Sequence, residues 1–309
     1  MSLAINIATP EGIVLAADSR QTYRNQKGVV RIGSDSASKL FLVNSRVGVG
    51  ITGLAFLPEN GTMKNISKYI EQFRREVDTT KLSVRDLADK VFYLFNRKYN
   101  WEEQLTRLQE QIPVDLQHKG LELVKLQKED YRIRFSFRSP DGRVQDAMAS
   151  VELISLFIAG YNTDGSHEVY LANIPGEVKK IRDSTKTNME YGANWIGQTD
   201  VVSRVIKGWD ARIFNVKFMA DTLVQLGQKQ VEEQLGNLEY AINWGAMPLQ
   251  DAINFCVLMI RTTSAIQRFS DGILADPGDI PGVGGPIDVL VLKPDESRWI
   301  RQKELSLDA

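Results

Sequence analysis

Ser2-Leu3-Ala4-Ile5-Asn6-Ile7-Ala8-Thr9-Pro10-Glu11-Gly12-Ile13-Val14-Leu15-Ala16-Ala17-Asp18 is the stretch on which the reading of this chain turns. Leu3, Ile5 and Ile7 alternate with Ser2, Ala4, Asn6 and Ala8, the period-two pattern of a half-buried strand. Thr9-Pro10-Glu11-Gly12 is a turn, with Pro10 fixing φ and Gly12 free to take positive φ. Ile13 to Ala17 is apolar on both faces, as in a well-covered strand. The pair predicts a hairpin that ties down a terminus where chains ordinarily fray.

Two polar residues at the ends of this hairpin carry chemistry. Ser2 is small enough for Met1 to be trimmed, which leaves a hydroxyl and a free α-amine on one residue. Such an amine has an ordinary pKa of about 7.7–8.0 and is partly neutral near physiological pH. It can serve as the base for its own hydroxyl without a histidine. Asp18 ends the apolar second strand in a near-core setting, which is costly for a carboxylate unless it is paired. Lys39, at the head of the third strand, is a candidate partner.

Beyond the hairpin, residues 21–36 read as a loop or irregular ribbon. Residues 39–43 and 47–51 read as a strand pair, and 55–78 and 83–111 as helices at 3.6-residue spacing. Strands follow at 121–127, 131–137, 155–161 and 168–173, with a hairpin turn at Ser139-Pro140-Asp141-Gly142. Helices are expected over 200–212, 216–242 and 248–268, and a strand over 289–292. Hairpin-joined strands with segregated helices predict an α+β layered fold and not a doubly wound parallel sheet.

The composition narrows the function. The 309 residues contain 38 Lys plus Arg and 39 Asp plus Glu, so no broad footprint for nucleic acid or anionic membrane is expected. The single cysteine, Cys256, cannot form an intrachain disulfide, which suits a reducing compartment, and a cytoplasmic location is expected. The apolar run 255–260 is far short of the ~20 residues of a membrane span, and the start of the chain lacks the basic region of a signal peptide. His118 and His167 each read as surface histidines, and no His/Cys cluster has zinc spacing. The expected chemistry uses no metal and no other cofactor. Gly48-Val49-Gly50-Ile51-Thr52-Gly53 matches G-x-G-x-x-G, but the glycines sit inside a strand, where they serve close backbone approach better than a dinucleotide. Val283-Gly284-Gly285-Pro286 lacks the Lys of a phosphate-binding loop.

Residues 12–22, then Ser38-Lys39-Leu40, then Gly50-Ile51-Thr52-Gly53 closely resemble the N-terminal third of proteasome β-subunit-like N-terminal nucleophile hydrolases. The spacing from Ser2 to Asp18 and from Lys39 to Gly53 matches the family's pattern. Weaker matches lie at Ile158-Ala159-Gly160-Tyr161, at 170–176 and at 283–288. The resemblance implies a four-layer α-β-β-α sandwich of two antiparallel sheets between helices. It implies one domain over residues 1–309, with an insertion at about 106–150. It also implies a peptide or amide hydrolase in which Ser2 is the nucleophile, Lys39 and Asp18 tune it, and the Gly53 N–H stabilises the oxyanion. Asp279 stands one residue out of register with a supporting carboxylate, and Gly197-Gln198-Thr199 replaces the family's supporting Ser-Gly. By register, Thr22 and Ala55 would pair with an extended peptide or protein substrate, while Gln21, Ala37 and Ile51 would line its first pocket. A homo-oligomeric ring or helical stack is implied; ring size and any unfoldase partner are left open. The alternatives are a non-catalytic ring subunit, an amidase or amide ligase on the same scaffold, and a small-molecule enzyme built on Gly48–Gly53. The non-catalytic type carries a helical extension before its first strand, whereas only Met1 precedes Ser2 here.

Overall fold

The computed structural model describes residues 2–25, 29–59, 61–274, 276–278 and 280–304; Met1 and Asp279 lie outside them. The chain opens with β1 (Leu3–Thr9), β2 (Gly12–Ala17), β3 (Gln21–Arg24), β4 (Val30–Ser34), β5 (Leu40–Leu42) and β6 (Val47–Gly53). A small hairpin, β7 (Phe56–Glu59) and β8 (Thr62–Asn65), leads into helices α1 (Ile66–Glu76), α2 (Val84–Lys98) and α3 (Trp101–His118). Strands β9 (Glu122–Glu129), β10 (Arg132–Arg138) and β11 (Val144–Ser150) come next. They are followed by β12 (Ile154–Tyr161), β13 (His167–Ile174), β14 (Val178–Asp183) and β15 (Gly192–Gly197). Helices α4 (Asp200–Lys207), α5 (Met219–Leu226), α6 (Gln228–Leu235) and α7 (Leu249–Phe269) precede β16 (Gly272–Ile273), β17 (Asp276–Pro277), β18 (Asp288–Leu292) and β19 (Arg298–Arg301). Among the described residues no helix is long and apolar enough to cross a membrane.

The α+β class is as read, but the expected four-layer sandwich is corrected. The described strands fall into six separate sheets. Two have five strands, ordered β15-β1-β2-β18-β19 and β14-β13-β12-β6-β5; one has three, β11-β10-β9; and three are isolated pairs. Strand β3 pairs with β4, and β7 with β8, as local two-stranded ladders instead of joining a large sheet. The β9–β11 sheet packs on α3 around Leu105, Ile112, Leu116 and Ile133, an apolar cluster of its own.

Three further clusters build the rest. Leu15, Leu40, Phe157 and Leu290 join the two five-stranded sheets, and Gly48 lets them approach, since a Cβ there would come within 2.9 Å of Leu15 and Leu290. Helices α1 and α2 bury Tyr69, Phe73, Leu87, Val91 and Phe95 against β6, β12 and β13. Helix α7 buries Ile253, Cys256 and Ile260 against β1, β2 and β18. With both sides covered, β1 is buried along its whole length and not half-buried as its alternation predicts. Asn6 tolerates this by donating to the Val14 carbonyl at 3.3 Å.

The helix expected over 55–78 starts only at Ile66. Pro58 and Gly61 fall in the β7–β8 hairpin, and Asn65 caps α1 by accepting from Ser67 N–H at 2.9 Å. Ser83 and Asp86 form the capping box that starts α2, which ends at Tyr99 before α3 begins. His167 is buried in β13, not on the surface. Its Nε2 lies 2.9 Å from the Glu190 carbonyl and its ring packs between Tyr161 and Tyr191.

Candidate active site

Strand β1 enters the core directly after Ser2, and β2 leaves it at Asp18, so the antiparallel register brings the two polar residues to one end of the sheet. Ser2, Asp18 and Lys39 are all buried, at 6%, 1% and 6% exposure. A single carboxylate oxygen organises them. Asp18 Oδ1 accepts the Lys39 ammonium at 2.7 Å and the Leu3 N–H at 2.9 Å. The other oxygen accepts the Arg20 N–H and the Gly284 N–H, each at 3.0 Å. Every direction from the carboxylate is thereby met, which offsets the cost of burying it.

Lys39 stands just before β5 and also donates to the Arg20 carbonyl at 2.6 Å. Burial pushes its pKa below the ordinary lysine range; Asp18 opposes this, while Lys303 and Arg20 add to it. Arg20 is itself held by Asp35 through two bonds, Nε to Oδ1 at 2.6 Å and Nη2 to Oδ2 at 2.9 Å. The pair raises the arginine's pKa and lowers the carboxylate's.

Ser2 is gripped from its other side by β15. Its carbonyl accepts the Gln198 N–H at 2.6 Å, and Leu3 pairs with Gly197. Gly197 has φ +93°, and a Cβ there would come within 2.0 Å of the Ser2 carbonyl oxygen. Gln267 then links the Gln198 side chain to the Val283 N–H at 2.9 and 2.8 Å.

These residues face a cleft with about 400 Å³ of empty space, counting its open mouth. Ser2, Lys39 and Gly53 line it, as do all five candidate substrate-binding residues: Gln21, Thr22, Ala37, Ile51 and Ala55. Gly53 has φ +102°, and a side chain there would strike the Leu153 carbonyl at 1.9 Å. Asp18 sits behind the cleft, and Asp279 falls outside the described residues. Among the described residues no three His, Cys, Asp or Glu side chains are grouped to hold a metal ion.

Sequence reasoning missed Arg20, Asp35, Gly284 and Gln198 as parts of this site. Gly284 left a signal in its Gly-Gly-Pro turn, Gln198 in its place at the family's supporting Ser-Gly, and Arg20 in the 12–22 motif, but none of these says what the residue binds. Arg20, Gly284 and Gln198 each contribute backbone groups, and Arg20 and Gln198 their side chains as well, with partners that depend on how distant segments meet.

No family model matches the chain, and no curated protein matches it. Its course is similar to that of Anbu, described as an ancestral beta-subunit, from Yersinia bercovieri, at 11% identity and a TM-score of 0.46 over 98% of this chain and 88% of that one. It is also similar to the Anbu complex of Pseudomonas aeruginosa, described as a helical assembly, at 14% identity and a TM-score of 0.45 over the same shares. Anbu from Hyphomicrobium sp. strain MC1 gives 12% identity and a TM-score of 0.46 over 99% and 88%. The assignment to proteasome β-subunit-like N-terminal nucleophile hydrolases suggested by the motifs is thereby corrected: the chains it resembles are Anbu proteins, at identities that leave the chemistry to the residues of this site.

Proposed function

We propose that this chain is an amide hydrolase acting on peptide-like substrates, with Ser2 as nucleophile once Met1 is removed. The observation that carries the reading is the shared Asp18 Oδ1, which binds both the residue after Ser2 and the Lys39 ammonium. Lys39 and the start of β1 thereby share one carboxylate anchor, and Lys39 and Ser2 line the same cleft, which supports the ammonium as the group that activates the hydroxyl.

In the proposed reaction the neutral Ser2 α-amine takes the hydroxyl proton as Oγ attacks the carbonyl carbon. Lys39 favours the forming alkoxide by its charge. The Gly53 N–H donates to the oxyanion, a contribution worth about 3–4 kcal/mol per donor in well-studied hydrolases. The C–N bond breaks, the leaving amine takes the proton from the α-ammonium, and an ester on Ser2 remains. Water then attacks that ester with the α-amine again as base, which releases the acid and restores Ser2. An extended substrate would lie along the backbones of Thr22 and Ala55, with Gln21, Ala37 and Ile51 forming a neutral, partly apolar first pocket.

Self-association belongs to the same reading. Its support is the exposed apolar side chains of Phe218, Val224, Leu258, Ile266 and Phe269, of which Val224 is 87% and Phe269 82% exposed. The nucleophile is tested with three forms of the chain, Met1-free, Met1-retaining and Ser2→Ala, each exposed to an epoxyketone or β-lactone. Labelling at Ser2 in the Met1-free form alone is expected. Equal labelling of all three, or amide hydrolysis surviving in Ser2→Ala, would place the chemistry elsewhere.

A further inference from the structure

A second cation–carboxylate pair backs the first. Lys303 lies two residues past β19, and its Nζ donates to the Ser19 hydroxyl at 3.0 Å and pairs with Asp288. The other Asp288 oxygen accepts the Lys303 N–H at 2.9 Å. Both side chains are largely enclosed, at 13% and 5% exposure. Asp288 pairs in register with Ala17, the residue before Asp18.

Ser19 is fully buried, and its backbone is held as firmly as its side chain. Its N–H donates to the Gly284 carbonyl at 3.0 Å, and its carbonyl accepts the Ala37 N–H at 3.0 Å. It stands between Asp18 and Arg20, whose oxygens receive the Lys39 ammonium at 2.7 and 2.6 Å. A tether on Ser19 is therefore a tether on both acceptors of Lys39.

We infer that Lys303 is a positioning residue for the Lys39 ammonium: it pins the Asp18–Arg20 segment from behind and sets a second positive charge beside Lys39. The charged groups around Lys39 are Asp18 and Arg20 after β2, Asp35 before β5, and Lys303 from the segment after β19. Asp288 on β18 faces Lys303. Removal of Met1 adds the α-amine of Ser2, which directly precedes β1 and lines the same cleft as Lys39. Of these, Lys303 and Arg20 act on Lys39 in the same direction as burial, downward, with Lys303 the larger of the two. Only the consequence for hydrolysis rests on the proposed function.

The test is an NMR titration of the Lys39 Cε resonance in the full chain carrying ¹³C-labelled lysine. It compares the native protein with Lys303→Gln, Lys303→Arg and the paired Lys303→Met/Asp288→Asn, which leaves no buried carboxylate unpartnered. In Lys303→Gln and in the paired variant, Lys39 is expected to titrate at higher pH than in the native chain; in Lys303→Arg it keeps the native midpoint. Either neutral variant decides the matter if the other does not fold. The kcat for amide hydrolysis should fall between ten- and a hundredfold in the neutral variants, with KM little changed and recovery in Lys303→Arg, since small misplacements near reacting groups cost up to about 10²-fold. A Lys39 midpoint that is the same in all chains overturns the inference, whatever the activity. A midpoint that moves in a chain that hydrolyses nothing upholds it and removes the proposed function instead.

Discussion

Lys39 and Asp18 bury a full charge each, with side chains 8% and 0% exposed. Replacing Lys39 by Ala removes one charge and strands the other. Breaking a buried pair in this way typically costs about 3–5 kcal/mol, and chemical denaturation of Lys39→Ala should show a loss of that order. Ser2→Ala strands no charge and should lose much less stability than Lys39→Ala, so the two variants part on stability even where both lose activity. The pH dependence is equally specific. Activity should rise on the acid side as the α-amine loses its proton, and fall on the alkaline side as Lys39 loses its own. Because the native Lys39 pKa lies below its unfolded value of about 10.4, the alkaline fall should come earlier than for an ordinary lysine. In that same window the unfolded chain binds more protons than the native one, so this group makes stability rise with pH. A pH–rate profile beside denaturation curves separates loss of activity from unfolding. Asp18 and Lys39 were legible in the sequence because a carboxylate ending an apolar strand needs a cation. Arg20 with Asp35 and Lys303 with Asp288 were not, because nothing local marks which of many surface-type charges the fold will enclose.

At the scale of elements, β15 is the strand that holds Ser2 in place. The Gly197 position tolerates no side chain: its φ is +93° and a Cβ would overlap the Ser2 carbonyl oxygen. Gly197→Ala should push the start of β1 away from β15. Strain at such a backbone costs of order 1–3 kcal/mol, so the variant should melt several degrees lower and label at Ser2 more slowly than native. Labelling at the native rate would show that β15 does not hold Ser2. The hairpin of β1 and β2 was readable because its turn residues and apolar runs agree. Strands β14 and β15 went unread, since 178–197 is polar and shows neither period clearly. The β7–β8 hairpin reads as helix in the sequence because Ile66, Tyr69, Ile70 and Phe73 carry a strong helical spacing whose start only the Asn65 cap defines.

For the whole molecule, the α+β class followed from the order of elements, whereas the partition into six sheets did not. It depends on which polar segments pair with themselves, and period alone does not say. The exposed apolar side chains of α5 and α7 are the ground for the proposed self-association. Light scattering at micromolar concentration should return a multiple of the 34.8 kDa chain mass, and a monomer would remove self-association from the reading. Helix α3 and strands β9–β11 form a unit with its own apolar cluster, and Tyr99 closes its base by donating to the Glu152 carbonyl at 2.7 Å. Replacing residues 100–151 by a link of about three to five residues should therefore leave a folded remainder, checked by a cooperative melt. The same base lies beside Leu153, whose carbonyl crowds Gly53. The closed neck at Tyr99 and Glu152 is thus a socket: foreign modules of matching end-to-end span can be spliced in there, and any that twist the joint will report themselves at the cleft one strand away.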